Sequence, residues 1–399
     1  MSSVLGARVS ALQRRLDEQD ADLAVCFPGP NLTYLTGFDD SPSERHLLLF
    51  VPRTGAPTLV APELYEQQLR ACPIDDLRVW ADEDDPLDVL ATVVSDLDIG
   101  GVQATGRSTE PTPADTATVL VDDRMWATFT HDLRDVLPAA TFDLLSTAIE
   151  ALRIRKDDVE LDALRRSASI ADRVSVEIRS RGTGLIGTSE TALAAEIEDL
   201  LEAYGGDDTA FDTIVASGPN AALPHHHSGP REIEAGDPVV LDFGTYVDAD
   251  VDGGTGRYPS DQTRTIVAGD PSAAYERVHE VVREAQSAAI DAIEPGVTAG
   301  EIDRAARSVI ADAGYGDAFV HRTGHGVGLE VHEPPYIVAD SERELEPGTV
   351  FSVEPGVYLP EEFGVRIEDL VVVTADGVER LNDSPRGWET GAQFRDRNS

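Results

Sequence analysis

The sequence predicts an α/β N-terminal domain followed by an α+β domain that makes up the rest of the chain. In the first 150 residues, short apolar runs of strand length alternate with amphipathic helical stretches, which is the pattern of an α/β domain. After residue 150, long helical stretches come first and strand-like runs dominate the last third. A chain of 399 residues accommodates two or three domains of ordinary size, so we place the domains at 1–150 and 151–399.

The first domain opens with an amphipathic helix, because Val9, Leu12 and Leu16 recur at helical spacing. The same periodicities give the elements that follow. Strands are predicted at Leu23–Phe27, Leu47–Val51, Thr58–Val60 and Gly101–Ala104, and helices at Pro62–Ala71, Pro86–Leu97 and Trp126–Val136.

The second domain begins with one long predicted helix, Ile149–Arg181, which ends at Gly182. A capping box of Thr298 and Glu301 predicts the start of a later helix. The other predicted elements are helices at Thr188–Tyr204 and Pro271–Ile293 and strands at Asp212–Ala216, Pro238–Phe243, Gly348–Tyr358, Val365–Thr374 and Val378–Leu381.

The charge balance excludes several classes of function. Seventy-four acidic against 32 basic residues give a net charge of -42, which disfavours nucleic acids and anionic membranes as partners. The only lysine, Lys156, lies in a polar helical stretch that fits neither a P-loop, a Schiff base nor a kinase. Scarce lysine with excess acid indicates a salt-rich cytoplasm, or alternatively an acidic protein from a GC-rich genome. No signal peptide or apolar run of ~20 residues is found, so we expect a cytoplasmic location.

Five potential ligands of metal ions are spread over the second domain. Taken singly, an acid near a strand end is usually a solvated charge, but Glu354 and Glu368 are embedded in apolar runs. Buried carboxylates must be paired, protonated or bound to a cation. A metal site accounts for the whole set, which is Asp242, Asp261, His325, Glu354 and Glu368. Its charge of about -4 would balance two divalent ions, and its oxygen-rich donors suit manganese, cobalt or iron.

Six motifs occur in a recognisable order. They are Ser217-Gly-Pro-Asn-Ala-Ala-Leu-Pro-His225, Leu-Asp242-Phe-Gly, Ser-Asp261-Gln-Thr-Arg-Thr, Gly-His325-Gly-Val-Gly-Leu-Glu-Val-His332-Glu, Val-Glu354-Pro-Gly and Val-Arg-Ile-Glu368-Asp. This order resembles the pita-bread metallopeptidases, and most closely the Xaa-Pro dipeptidase (prolidase) and aminopeptidase P group. The resemblance covers roughly residues 150–385. Residues 1–150 resemble the creatinase/prolidase N-terminal domain, without catalytic motifs.

The resemblance implies a role for each motif residue. Asp242, Asp261, His325, Glu354 and Glu368 would hold two divalent metal ions, most simply manganese, with cobalt or iron as alternatives. His225 and His332 would contact the substrate, Glu354 would also transfer a proton, and Arg366 would orient a carboxylate or the substrate terminus. The expected enzyme is a homodimer that cleaves short peptides with proline after the N-terminal residue, using a metal-activated hydroxide. An aminopeptidase P-type or methionine-type aminopeptidase, a creatinase-like hydrolase and a non-catalytic binding protein are the alternatives.

Two points of the pattern stay open. Asp242 and Asp261 are farther apart than in the family, and the extra length predicts an acidic, glycine-rich loop within Thr245–Ser260. An alternative interpretation of its Asp-x-Asp-x-Asp-Gly run is a calcium-binding loop. The run of three histidines that starts at His225 leaves the choice of catalytic histidine open, although Pro224-His225 fits best.

Overall fold

A computed structural model describes residues 3–99, 116–251, 254–392 and 394. The chain divides into two compact units, one comprising Met1–Arg153 with Asp250–Gly256 and the other Ile154–Ala249 with Arg257–Ser399. The elements up to residue 153 are α1 Val4–Glu18, β1 Leu23–Cys26, α2 Pro30–Thr36, β2 Leu48–Pro52, β3 Thr58–Pro62, α3 Glu66–Leu69, β4 Asp76–Trp80, α4 Pro86–Asp96, β5 Thr118–Val121, α5 Ala127–Val136, β6 Thr141–Leu144 and α6 Ser146–Arg153.

The first unit is built on one mixed sheet of six strands in the order β4-β3-β2-β1-β5-β6. Residues of β1 and β5 pack with α4 and α5 in a single apolar core. The predicted helices at the start, at Pro86 and at Trp126 are confirmed, as are the first three strands. The predicted helix Pro62–Ala71 is confirmed in part, because a 3₁₀ turn at Glu63–Tyr65 precedes the single α-helical turn of α3. The predicted strand Gly101–Ala104 lies outside the described residues.

The chain continues with helices and strands that belong mainly to the second unit. These are α7 Asp158–Ser180, α8 Glu190–Ala203, β7 Ile214–Ser217, β8 Pro238–Phe243, β9 Tyr246–Val251, β10 Gly254–Pro259, β11 Gln262–Val267, α9 Ala273–Asp291, α10 Ala299–Asp312, β12 Gly324–Gly326, β13 Glu333–Ile337, β14 Val350–Val353, β15 Gly356–Leu359, β16 Phe363–Arg366, β17 Asp369–Thr374 and β18 Gly377–Arg380. In the described part of the chain, no helix combines the length and apolarity needed to cross a membrane.

Each larger sheet of the second unit packs against its own pair of helices. The sheet β11-β8-β7 shares an apolar core with α7 and α8. The sheet β13-β12-β14-β17-β18 shares another core with α9 and α10, which begins at the predicted capping box of Thr298 and Glu301. The helices therefore support the strands that carry or flank the candidate ligands Asp242, Asp261, His325, Glu354 and Glu368.

The predicted helix Ile149–Arg181 is wrong, because two helices replace it. The chain leaves α6 at Arg153, and Asp157 starts α7 by accepting hydrogen bonds from the amides of Val159 and Glu160. In the break, the Lys156 amide donates to the carbonyl of Gly348. The local cap and this distant backbone contact outweigh the continuous helical periodicity.

Lys156 is also not the solvent-facing helix residue that its polar neighbours suggest. Its side chain is 0% exposed, and Nζ lies 2.8 Å from Oε1 of Glu333, whose side chain is 3% exposed. Nζ also lies 3.3 Å from the carbonyl oxygen of Ile154. The single lysine of the chain therefore belongs to a buried ion pair.

The predicted glycine-rich loop within Thr245–Ser260 is wrong as well, because β9 and β10 form a two-stranded sheet there. Exposure alternates along β9, so that Val247 and Ala249 are buried while Asp248 and Asp250 are exposed. Since these aspartates project from a strand, the calcium-loop interpretation is not supported.

Candidate metal centre

Strands β8 and β11 bring the two predicted aspartate ligands together. They pair antiparallel, with Asp242 opposite Thr263, so Asp242 near the end of β8 lies beside Asp261 just before β11. A Cβ at Gly244 would lie 1.9 Å from the carbonyl oxygen of Ser260. Glycine at this position therefore permits the close approach of the chain segments that carry the aspartates.

Strands β12 and β14 bring His325 and Glu354 to the same place. Nε2 of His325 lies 3.4 Å from Oε1 of Glu354 and 3.6 Å from Oδ2 of Asp261. Nδ1 of the same ring lies 3.2 Å from the carbonyl oxygen of Gly326, to which it can donate a hydrogen bond. This contact leaves Nε2 as the nitrogen that faces the carboxylates, which is the arrangement of a histidine ligand.

Glu368 reaches the cluster because the predicted strand Val365–Thr374 is broken. Strand β16 ends at Arg366 and β17 begins at Asp369, so Glu368 lies in the connection between them. Its amide donates to the carbonyl of Thr263, and the Thr263 hydroxyl donates to its Oε2 at 2.7 Å. These two bonds hold Glu368 beside β11, next to Asp261.

The predicted ligands line one cavity of about 850 Å³. Donor atoms of Asp261, His325 and Glu368 all lie within 4.8 Å of one another. The remaining predicted site residues line the same cavity, namely Asp242, Glu354, His225, His332 and Arg366. Every side chain singled out from the sequence therefore borders a single cavity in the second unit.

The electrostatics of the cluster fit a cation. Burial, together with the charges of neighbouring carboxylates, raises the pKa of Asp261 and of Glu368 well above their usual range. Burial also raises the pKa of Glu354 to about 7 and lowers that of His325 to about 3. Within the described part of the chain, no hydrogen-bond donor reaches Oδ1 of Asp242 or Oε1 of Glu368. Crowded carboxylates with open oxygens and a neutral imidazole are the donor set that divalent metals require.

Arg366 lies at the centre of a chain of hydrogen bonds. Two members of this chain, Arg366 and Asp242, are predicted site residues, whereas Tyr358 and His321 are not. It donates to Oδ2 of Asp242 at 2.5 Å and to the Tyr358 hydroxyl at 2.8 Å. That hydroxyl lies 3.0 Å from Nε2 of His321, whose Nδ1 lies 2.7 Å from the carbonyl oxygen of Arg322. Since burial lowers the pKa of His321 to about 4, the ring is neutral and Nε2 accepts from Tyr358. The signal in the sequence that could have pointed to His321 is its position four residues before His325.

The three adjacent histidines differ in their contacts. Nε2 of His226 lies 2.8 Å from Oε2 of Glu190, a residue that the sequence did not single out. His225 lines the same cavity as His321 and His332, and burial lowers the pKa of both of those histidines. The ring centroids of His332 and His325 lie 4.1 Å apart.

Comparisons with known proteins agree with this geometry. Residues 162–375 match the model of the metallopeptidase family M24, and residues 8–155 match the creatinase/prolidase N-terminal domain. A probable dipeptidase PepE of Mycobacterium tuberculosis is 40% identical over 92% of each chain. An Xaa-Pro dipeptidase of Lactobacillus delbrueckii is 36% identical over 92% of this chain and 94% of its own. The crystal structure of dipeptidase PepE from Mycobacterium ulcerans has a TM-score of 0.85 at 36% identity, covering 97% of both chains.

Proposed function

This chain belongs to metallopeptidase family M24, and from that premise we propose that it hydrolyses the Xaa-Pro bond of short peptides with proline after the N-terminal residue. The observation that carries the proposal is the convergence of Asp261, His325 and Glu368 within 4.8 Å, in a cavity that Asp242 and Glu354 also line. The name of one relative, an Xaa-Pro dipeptidase, supports the proline specificity, and that of another, a probable dipeptidase, supports dipeptides as substrates. Residues 1–150 are proposed as the N-terminal domain and 151–399 as the catalytic domain.

We assign the five clustered side chains as ligands of two divalent ions, with manganese the first choice. Bound there, such ions supply an activated water molecule and polarise the scissile carbonyl. Two ions would also satisfy the open oxygens of Asp242 and Glu368 and remove the mutual repulsion of the carboxylates. Arg366 holds Asp242 in place by donating to its Oδ2. For Arg366, this contact favours the role of orienting a carboxylate over that of binding the substrate terminus.

The other side chains of the cavity act on the substrate. His225 and His332 face one cavity, and the lowered pKa of His332 keeps its ring neutral near pH 7, so that it can donate a hydrogen bond to a developing oxyanion. Glu354 has its pKa raised towards neutrality, which suits it to accept a proton and pass it to the leaving proline nitrogen.

One assay tests the function and its closest alternative. Manganese-loaded protein is offered an Xaa-Pro dipeptide, the matching Xaa-Pro-Yaa tripeptide and an Xaa-Ala dipeptide as control. A dipeptidase cleaves the first and leaves the others nearly intact, whereas an aminopeptidase P-type enzyme prefers the tripeptide. Equal hydrolysis of the Xaa-Ala control, or none of any peptide, would contradict the proposal. Light scattering of the same sample measures whether the protein is the expected homodimer.

A further inference from the structure

Glu190 is a buried carboxylate that the mechanism above does not use. It is the first residue of α8, and its side chain is 0% exposed. Its two oxygens accept five hydrogen bonds of 2.7–3.0 Å from one stretch of chain. The donors are the amide and hydroxyl of Ser217, Nδ2 of Asn220, Nε2 of His226 and the amide of Gly229.

These donors all belong to the segment Ser217–Gly229, which we call the histidine loop. After a 3₁₀ turn at Gly218–Ala222, this segment contains neither helix nor strand, although all of its residues are described. Lacking a regular backbone ladder, the loop has to be ordered by other contacts. Glu190 binds both ends of the loop, since Ser217 is the first residue of the loop and Gly229 is the last.

The same contacts give adjacent histidines different surroundings. His226 is engaged by Glu190, whereas His225 lies exposed in the cavity that His332 also lines. On the cavity side, the carbonyl of Pro224 lies 3.4 Å from Nη1 of Arg366. The loop is thus anchored on both sides of His225.

We propose that Glu190 is a positioning residue that orders the histidine loop, holds His226 away from the reaction and presents His225 to the substrate. The inference rests on the proposed function for its substrate. Burial opposes ionisation of Glu190, but the hydrogen bonds from Asn220, Ser217 and His226 outweigh it and lower its pKa. An ionised carboxylate fits this network best, because protonation of either oxygen would set an O–H donor against the donors already there.

Glu190→Gln tests the inference with little change of shape. Its amide nitrogen has to face one set of donors, so part of the network breaks. We expect kcat for the Xaa-Pro dipeptide to fall about 10-fold or more with a smaller change in KM, as for the loss of a group that acts on the transition state. We also expect faster hydrogen exchange at the amides of Ser217 and Gly229, a readout that needs neither substrate nor metal.

Two further variants separate positioning from general destabilisation. Asp122→Asn is the matched control, because Asp122 is a buried carboxylate of the first unit that binds Asn31; it should change neither kcat nor exchange in the histidine loop. His226→Gln retains a donor towards Glu190 and should keep near wild-type kcat, whereas His225→Gln should lose at least as much as Glu190→Gln.

The possible results have distinct meanings. Unchanged kcat or unchanged loop exchange in Glu190→Gln would overturn the inference, and so would a His226→Gln variant as impaired as His225→Gln. Failure of the proposed function would appear separately, as an inactive wild type. In that case the exchange measurement still decides whether Glu190 orders the loop, while its presentation of His225 to a proline peptide falls with the function.

Discussion

Arg366 donates from Nη2 to Oδ2 of Asp242, and the two side chains are 5% and 13% exposed. One carboxylate oxygen of Asp242 is therefore paired with the guanidinium of Arg366, while no donor among the described residues reaches the other oxygen. Arg366 is held in turn by Thr263 and Tyr358, so the open oxygen of Asp242 has a defined direction. Such support from neighbouring side chains is what sets the orientation of a metal ligand, which is the role proposed for Asp242.

Replacing a central carboxylate should remove metal and activity together. In Asp261→Asn or Glu368→Gln, a neutral amide replaces one of the three groups that lie within 4.8 Å. We expect loss of most bound manganese by elemental analysis and nearly complete loss of Xaa-Pro hydrolysis. Asp376→Asn, at an exposed turn, is the control.

The same variants should not be less stable than the wild type when both are treated with EDTA. Burial and carboxylate repulsion raise the pKa values of Asp261 and Glu368, so each ionised group costs stability in the metal-free protein near pH 7. In the variants that are not treated with EDTA, two ions still bound together with normal turnover would refute the site assignment.

His332→Ala should lower turnover by ~10² or more while leaving the metal content intact. The reason is that His332 lines the cavity as a proposed contact of the substrate and is not one of the five proposed metal ligands. Its ring nevertheless lies 4.1 Å from the ring of His325. Loss of one metal ion in this variant would show instead that His332 is a ligand.

The sequence identified the side chains that line the cavity better than it predicted the elements that carry them. The candidate ligands were singled out because Glu354 and Glu368 interrupt apolar runs and because the motif order is specific. The break between Arg366 and Asp369 was not visible, since it depends on Thr263 binding Glu368 from a strand about a hundred residues earlier. Glu190 was missed for a similar reason. An acid at the start of a helix is ordinary, and only the fold shows that it is buried beneath the histidine loop.

Lys156→Met should be strongly destabilising. It removes the ammonium group from a fully buried pair with Glu333, and breaking such a pair costs about 3–5 kcal/mol. Arg155→Met is the control in the neighbouring position, because the Arg155–Glu346 pair is more than half exposed and should matter by less than about 1 kcal/mol. Urea unfolding measures both. The double variant Lys156→Met with Glu333→Met should recover part of the loss, and equal stability of the two single variants would contradict the prediction.

His279 should make the protein sensitive to acid. Burial, reinforced by the charges of Arg179 and Arg283, lowers its pKa from 6.5 to about 3. A depressed histidine pKa gives stability that is present above pH 6.5 and is lost as pH falls towards the folded value. Between pH 6.5 and 5 this loss amounts to about 2 kcal/mol. In urea unfolding, the free energy of unfolding of His279→Leu should therefore increase relative to that of the wild type by this amount as pH falls over that range. The exposed His131→Leu should not, and parallel curves for both variants would contradict the assignment.

The protein should need high salt for full stability. Even if each of the 32 basic residues paired with one of the 74 acidic residues, 42 acidic groups would remain on a 42.8 kDa chain. At ~0.1 M salt the screening length is ~10 Å, and at ~1 M it falls to ~3 Å, so repulsion between neighbouring acids largely disappears. Salt also weakens the exposed ion pairs, such as Arg165–Glu379, but these contribute little.

The measurement is the unfolding midpoint of manganese-loaded protein from roughly 0.1 to 3 M KCl, a range over which screening changes several-fold. We expect the midpoint to rise most steeply below ~1 M, where the screening length changes most. A sucrose series is the control, because an excluded osmolyte strengthens apolar burial without screening charge. A smaller rise in sucrose would identify charge repulsion as the cause. A midpoint that stays flat or falls in KCl would refute salt adaptation and favour the alternative, in which metal binding alone neutralises the buried carboxylates of Asp261 and Glu368 and the surface acids cost little.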